Sequence, residues 1–555
     1  MRRFIAISAV ILIANTHLFG QLMDNQVSFT QKDTLRGALR PERTCFDVTY
    51  YDLTVDVNIG AKSINGSNAI YFTAVENFTK LQIDLFQNLN ISSITWNGKS
   101  LEFKRQYDAV FVQFPSTIKK GAKEMINVAY DGFPQIAKNA PWDGGFSFDT
   151  DMNGNPWVGI SCEGLGASVW WPNKDHLSDE PDSMMINGIV PMDLMCVANG
   201  NLIATEQLAE NKMKYSWKVS YPINNYNVSL NIGKYTHFGD VYKQANGKDL
   251  ALDYYVLDYN LEIAKKQFEQ VKPMMACYEK YLGPYPFYKD GYAMVETPYL
   301  GMEHQGVIAY GNKYQTGYLG FDYSGIGMDF DYIIIHETGH EWWGNNVSMK
   351  DLADMWIHEG FCTYSESIYV ECLYGNEKAL DYINASKRNI SNDKPIIGIY
   401  NVNNEGSGDM YQKGAVFLNT LRYQVNNDPL WWNIILGIQK DFAKQTVTTA
   451  QIENYISRKA GKDFSKLFDQ YLRHADIPVL EYKFQRTSNG LELRYRWVAD
   501  VAGFDMPIRY ISKGGKLVWV NPTTDWQQLN IEGLDEKTFK WDTRHFYFTE
   551  KLVKS

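Results

Sequence analysis

The stretch DFDYIIIHETGHEWWGNNVSMKDLADMWIHE, residues 329–359, decides how the rest of this 555-residue chain is read. Asp329 and Asp331 are acidic residues suited to a helix N-terminus, the run from Tyr332 to Trp343 is largely apolar, and Gly344-Asn345 is a stop signal. The stretch therefore predicts one buried helix over 332–343. His336 and His340 stand four apart, so both imidazoles project from one face and can bind a single ion, with Glu337 flanking that face. Gly339, inside the same helix, costs about 1 kcal/mol relative to Ala and implies close approach of a neighbouring element or a substrate.

Eighteen residues separate His340 from Glu359, which lies inside a second helical stretch, WIHEGFCTYSESIYVECLY. A packed helix pair can bring Glu359 to the ion that the two histidines face. Two His and one carboxylate leave a tetrahedral Zn²⁺ with one open position, the arrangement of a catalytic rather than a structural site. One zinc per chain is expected. Such a metal lowers the pKa of a water in that position from about 15.7 toward 7. Glu337, between the two His ligands, is placed to accept the water's proton and pass it to a leaving amine. Asp354 and Glu366 are candidates to orient the His ligands, on proximity in sequence.

His336-Glu337-x-x-His340 with Glu359, in the context Trp-x-x-Glu-Gly-Phe, resembles the zinc aminopeptidase family of aminopeptidase N and leukotriene hydrolase. Leu300-Gly301-Met302-Glu303-His304 is similar to that family's Gly-x-Met-Glu-Asn motif, and Tyr411-Gln412-Lys413-Gly414-Ala415 to its Tyr-Glu-Lys-Gly segment. RTCFDVTYYDLTVDV near the start and FDQYLRHADIPVLEY near the end also look like family segments. The resemblance implies that Tyr411 donates to the oxyanion, that Glu303 with Glu163 holds the substrate's free amine, and that Gly301 and Met302 belong to the substrate-binding loop. The departures are Leu300, where Gly is usual, and His304, where Asn is usual. His304 either supports Glu303 by a hydrogen bond or fills space.

Met1 to Gln21 has Arg2 and Arg3, an apolar run from Phe4 to Ala14 and the small Gly20, the layout of a cleaved secretory signal. The expectation is an exported protein, periplasmic or extracellular, with an uncleaved membrane anchor as the alternative. A net charge of −10 disfavours nucleic acid and anionic membranes as general partners, and 45% hydrophobic content is ample for several cores. Six cysteines are widely spread without metal spacing; scattered buried thiols are expected, with pairing of some of them in an exported chain as the alternative.

Period-two runs such as Tyr50 to Val57, broken by Asn65-Gly66 and Asn97-Gly98, predict strands from Thr44 to about Tyr235. Long helical stretches follow, among them 260–281 and 449–460, after a short β opening at 250–257. Period two returns in Leu491 to Trp497 and Lys516 to Val520. The fold class is thus multi-domain α+β: a signal peptide over 1–21, an N-terminal β domain over 41–235, a mainly helical, thermolysin-like zinc catalytic domain over 236–476, and a small C-terminal β-sandwich over 477–555. Larger members of the family resembled add a helical domain after this point, and none is expected here. The function expected is removal of N-terminal residues from peptide substrates. Epoxide hydrolysis at the same site, and a zinc-less binding protein on the same fold, are the alternatives.

Overall fold

The computed structural model describes residues 28–244, 247–487, 490–531 and 535–554. The expected signal peptide over 1–21 lies outside them. No helix among the described residues is long and apolar enough to cross a membrane.

The strand Phe46–Asn58 shows how the alternating sequence becomes a sheet. Val48 is buried, a bulge follows at Thr49, and the buried set resumes at Tyr51, Leu53, Val55 and Val57. The bulge lets both halves of the strand keep their apolar residues on the core face. This strand lies inside an eight-stranded sheet, antiparallel to Ser63–Ala74 and parallel to Ser183–Pro191. Three- and four-stranded sheets complete the N-terminal β-rich domain, and the strand Pro156–Ser161 of the latter leads directly into Glu163.

The next sheet has five strands rather than the short opening expected from sequence. Tyr235–Lys243, Asp249–Leu257, Tyr292–Glu296, Val307–Tyr310 and Gly301–Met302 lie side by side in that order. The two-residue strand Gly301–Met302 is at the edge, antiparallel to Val307–Tyr310. Sequence periodicity missed Tyr292–Glu296, Gly301–Met302 and Val307–Tyr310 because these strands are short and almost wholly buried. The N-terminal core runs on into this sheet through Val295, Tyr299, Met302 and Val307. Polar bonds stitch the same seam: the Tyr299 hydroxyl donates to the Ile160 carbonyl at 2.8 Å, and the Asn199 amide donates to the Gln305 carbonyl at 2.9 Å.

Against this sheet pack the helices of the catalytic region. The helical stretch expected over 260–281 is two helices, Leu261–Gln267 and Val271–Leu282, with tighter turns between them. Val271–Leu282 is linked to Trp356–Tyr374 by a disulfide between Cys277 and Cys372, whose Cα atoms are 6.2 Å apart. One pair is thus bonded where buried thiols were the first expectation, while Cys45, Cys162, Cys196 and Cys362 are free and buried as expected. Thr449–Ala460 is capped at both ends, by the Thr448 side chain and by left-handed Gly461. The C-terminal β domain has a four-stranded and a three-stranded sheet. Its Leu480, Leu493, Trp497 and Ile508 share one apolar cluster with the catalytic helices.

Candidate active site

Asp331 starts the histidine helix, Tyr332–Gly339. Its carboxylate accepts from the amides of Ile333 and Ile334 and from Tyr310, Gln267 and Asn312, so the cap also fastens the helix to the five-stranded sheet. Regular α-helix stops at Gly339, four residues short of the expected end. From there Glu341 and Trp342 bond three residues back, to Thr338 and Gly339, and Gly344 turns the chain at φ 123°. The tightened turn lets His340 Nδ1 donate to the Trp343 carbonyl at 2.9 Å, so that in the neutral ring Nε2 carries no proton. His336 Nδ1 donates to Glu366 Oε1 at 2.7 Å, with the same effect on its own Nε2.

Trp356–Tyr374 crosses beneath. A Cβ on Gly339 would sit 2.8 Å from Cys362 Sγ, so the glycine is what permits this contact between the two helices. Glu359 and Glu366 are two turns apart and share a face. The upper one reaches both imidazoles: His336 Nε2 and His340 Nε2 are 3.3 Å apart, and Glu359 Oε2 is 3.6 and 3.5 Å from them. An ideal tetrahedron with bonds of about 2.05 Å has edges of about 3.3–3.4 Å. Glu359 Oε2 is also buried with no hydrogen-bond partner. The donor set therefore fits a zinc ion. Cys362 lies close to both histidines as well, but its thiol already donates to the His336 carbonyl and burial raises its pKa well above the usual value.

Around these three, a cleft of about 430 Å³ collects Glu163, Gly301, Met302, Glu303, Glu337 and Tyr411. Glu337 lies against the edge strand. A Cβ on Gly301 would meet Glu337 Oε1 at 2.7 Å, so the missing side chain makes room for that carboxylate. Burial pushes Glu337 up to about 7, with the two histidines acting in the other direction. Glu303 is buried and accepts from the Tyr226 hydroxyl at 3.0 Å, and it comes within 4.8 Å of the ligand atoms of His340 and Glu359. Glu163 faces Glu303, and burial followed by that like charge raises its pKa well above the carboxylate range. The ring of Tyr411 stacks at 6.2 Å on His336.

Among the supporting residues one expectation comes out differently and one open choice is decided. Asp354 does not touch a histidine; it accepts from Tyr400 and Thr449 at 2.6 and 2.5 Å. His304 makes no hydrogen bond through either ring nitrogen, and burial lowers its pKa to about 3, so of its two readings it fills space. Sequence reasoning missed Tyr226, which holds Glu303, because nothing local separates it from the other tyrosines. It also missed Pro141 and Trp142, which reach the cleft from a loop of the N-terminal domain, and Glu405.

Residues 266–471 match the family described as Peptidase family M1 domain. The chain carries an M1 peptidase domain, the family of aminopeptidase N. Leucyl aminopeptidase of Saccharolobus solfataricus is 23% identical over 455 residues, covering 78% of this chain and 54% of that one. Endoplasmic reticulum aminopeptidase 1 of Mus musculus is 23% identical over 264 residues, and aminopeptidase N of Escherichia coli 21% over 305. These matches cover 45% and 52% of this chain. The chain spans between 28% and 54% of the length of these relatives. In fold it is similar to the M1 zinc metallopeptidase of Deinococcus radiodurans, with a TM-score of 0.66 at 19% identity over 78% of this chain and 94% of that one.

Proposed function

We propose that this protein is an exported zinc aminopeptidase that removes residues from the N-termini of peptides. The observation that carries the reading is the triangle of His336 Nε2, His340 Nε2 and Glu359 Oε2, with edges of 3.3–3.6 Å, open to a cleft that also holds Glu337 and Glu303. His336, His340 and Glu359 hold the metal. When bound, zinc supplies Lewis-acid polarisation of the scissile carbonyl and activation of water.

The remaining chemistry belongs to the side chains. Glu337 accepts a proton from the attacking water and returns it to the departing amine, one group serving as base and then acid. The Tyr411 hydroxyl donates to the oxyanion as charge develops on it. Glu303 and Glu163 receive the substrate ammonium between two desolvated carboxyls, which accounts for the choice of a chain end over an internal bond. The open edge of Gly301–Met302 offers backbone groups to an extended peptide in the manner of an added strand. The Cys277–Cys372 disulfide supports the exported reading, since such bonds persist in oxidising compartments.

The test is metal content together with kcat/KM for one peptide in free and N-acetylated form. About one zinc per chain is expected, with the acetylated peptide poorer by two to four orders of magnitude because an unpaired buried charge costs roughly 3–5 kcal/mol. Equal rates on the two forms would overturn the aminopeptidase reading.

A further inference from the structure

Five carboxylates line the cleft, from Glu163, Glu303, Glu337, Glu359 and Glu405, and no Lys or Arg does. On the function proposed above, on which this inference rests, a divalent ion brings two positive charges, the substrate's α-ammonium one, and the proton shuttled by Glu337 one more. Glu405 is the acid left over. Its carboxylate has no hydrogen bond or ion pair among the described residues; burial raises its pKa and so does the charge of Glu359, with Lys394 acting in the other direction. Its Oε2 lies 3.8 Å from where a Cβ on Gly164 would be, beside the Glu163 loop at the amine end of the cleft.

The segment that carries Glu405 is held firmly. A Cβ on Gly406 would run into the Ile396 carbonyl, one on Gly398 into the Asn404 carbonyl, and the Ser407 amide donates to the Pro395 carbonyl at 2.8 Å. Trp142 lines the same cleft with 63% of its surface exposed. Its loop is pinned as well: the Pro141 carbonyl accepts from the Ser161 hydroxyl at 3.2 Å, and Gly144 packs so tightly on Leu165 that a Cβ would lie 2.9 Å from it. An exposed, unpaired carboxylate and an uncovered indole, each on a firmly held stretch of backbone, are what a long cation with an apolar stem requires: charge pairing at the tip, and cation–π or stem contact along the ring.

We infer that Glu405 is a specificity-determining residue that selects a basic first residue, arginine or lysine, with Trp142 as the wall along which that side chain lies. The experiment measures kcat/KM of the zinc-loaded enzyme for arginyl, leucyl and alanyl amides, in wild type, Glu405→Gln and Trp142→Ala. In wild type the arginyl-to-leucyl ratio is expected to exceed about 10, and Glu405→Gln is expected to bring it to about 1, the discrimination of roughly 10–100-fold open to one charge contact. Trp142→Ala is expected to raise KM for the arginyl amide about 3- to 10-fold with kcat within twofold. A wild-type ratio at or below 1, or a ratio that Glu405→Gln leaves unchanged, overturns the inference while leaving the aminopeptidase reading standing. Failure of wild type to cleave any of the three amides removes that reading, and the inference with it.

Discussion

On the reading proposed above, two demands meet at Glu337, which must stand beside the metal ligands without binding the ion and keep a clear line to the scissile bond. Gly301 meets the second demand by having no side chain where the carboxylate lies. Glu337→Gln is isosteric and leaves the three ligands untouched. It is expected to keep zinc at about one per chain and to lower kcat by two to four orders of magnitude. Turnover near the wild-type value would mean that another group moves the proton. Glu366 acts one step further out, by holding His336 Nδ1 at 2.7 Å while its other oxygen accepts from Tyr382. Glu366→Gln is expected to weaken zinc affinity about 10- to 100-fold, read by competition with a chelator. If zinc retention were unchanged, the orientation of His336 would have to be set elsewhere.

The helices and the edge strand bring these residues to one point, and close glycine contacts set the spacing. Gly360 follows Glu359, Gly414 lies three residues after Tyr411, and a Cβ on Gly414 would sit 2.9 Å from the Gly360 Cα. That contact sets how near Tyr411 stands to Glu359, which on the reading proposed above are oxyanion donor and metal ligand. Gly414→Ala is expected to destabilise the fold by about 1–3 kcal/mol through overpacking and to lower kcat more than it raises KM. A denaturant midpoint and kinetics equal to wild type would show that the helices separate freely.

The legible part of the site was the part written in local spacing. The four-residue interval of His336 and His340 dictates a shared helix face, and Glu359 lay on the next helix to follow. Tyr226, which holds Glu303, and Trp142 and Glu405, which line the cleft, carry no such signal, because each stands on a turn or loop placed by long-range contacts. The same limit applied to the fold. Alternation announced Phe46–Asn58 and the C-terminal strands, whereas short, fully buried strands such as Tyr292–Glu296 have no period to read. The Cys277–Cys372 pairing was equally invisible, since it depends on how two helices cross.

Across the whole molecule, buried acids make stability depend on pH. Burial raises Glu180 to about 7 from an ordinary value near 4.5. Between those values the folded protein keeps a proton that the unfolded chain has released, so this group's contribution falls as pH rises through the window. Glu180→Gln removes the effect. The variant's advantage over wild type is expected to be small at pH 5 and to reach about 2–3 kcal/mol by pH 8. An equal difference in Tm at the two pH values would count against a raised Glu180.

The cleft's two walls come from different stretches of the chain. On the reading proposed here, the hydrolytic groups lie within residues 336–411, while Trp142 and Glu163 stand on loops of the N-terminal β domain, joined to the rest by the seam at Ile160 and Tyr299. Part of the choosing thus stands apart from the cutting: Trp142 and Glu163 lie outside the segment that carries the hydrolytic groups, whereas Glu405 lies within it. Substitutions in the loops at 133–144 and 162–166 can redirect which peptide ends are trimmed and leave the hydrolytic step intact, so one scaffold can supply a lineage of enzymes with different diets.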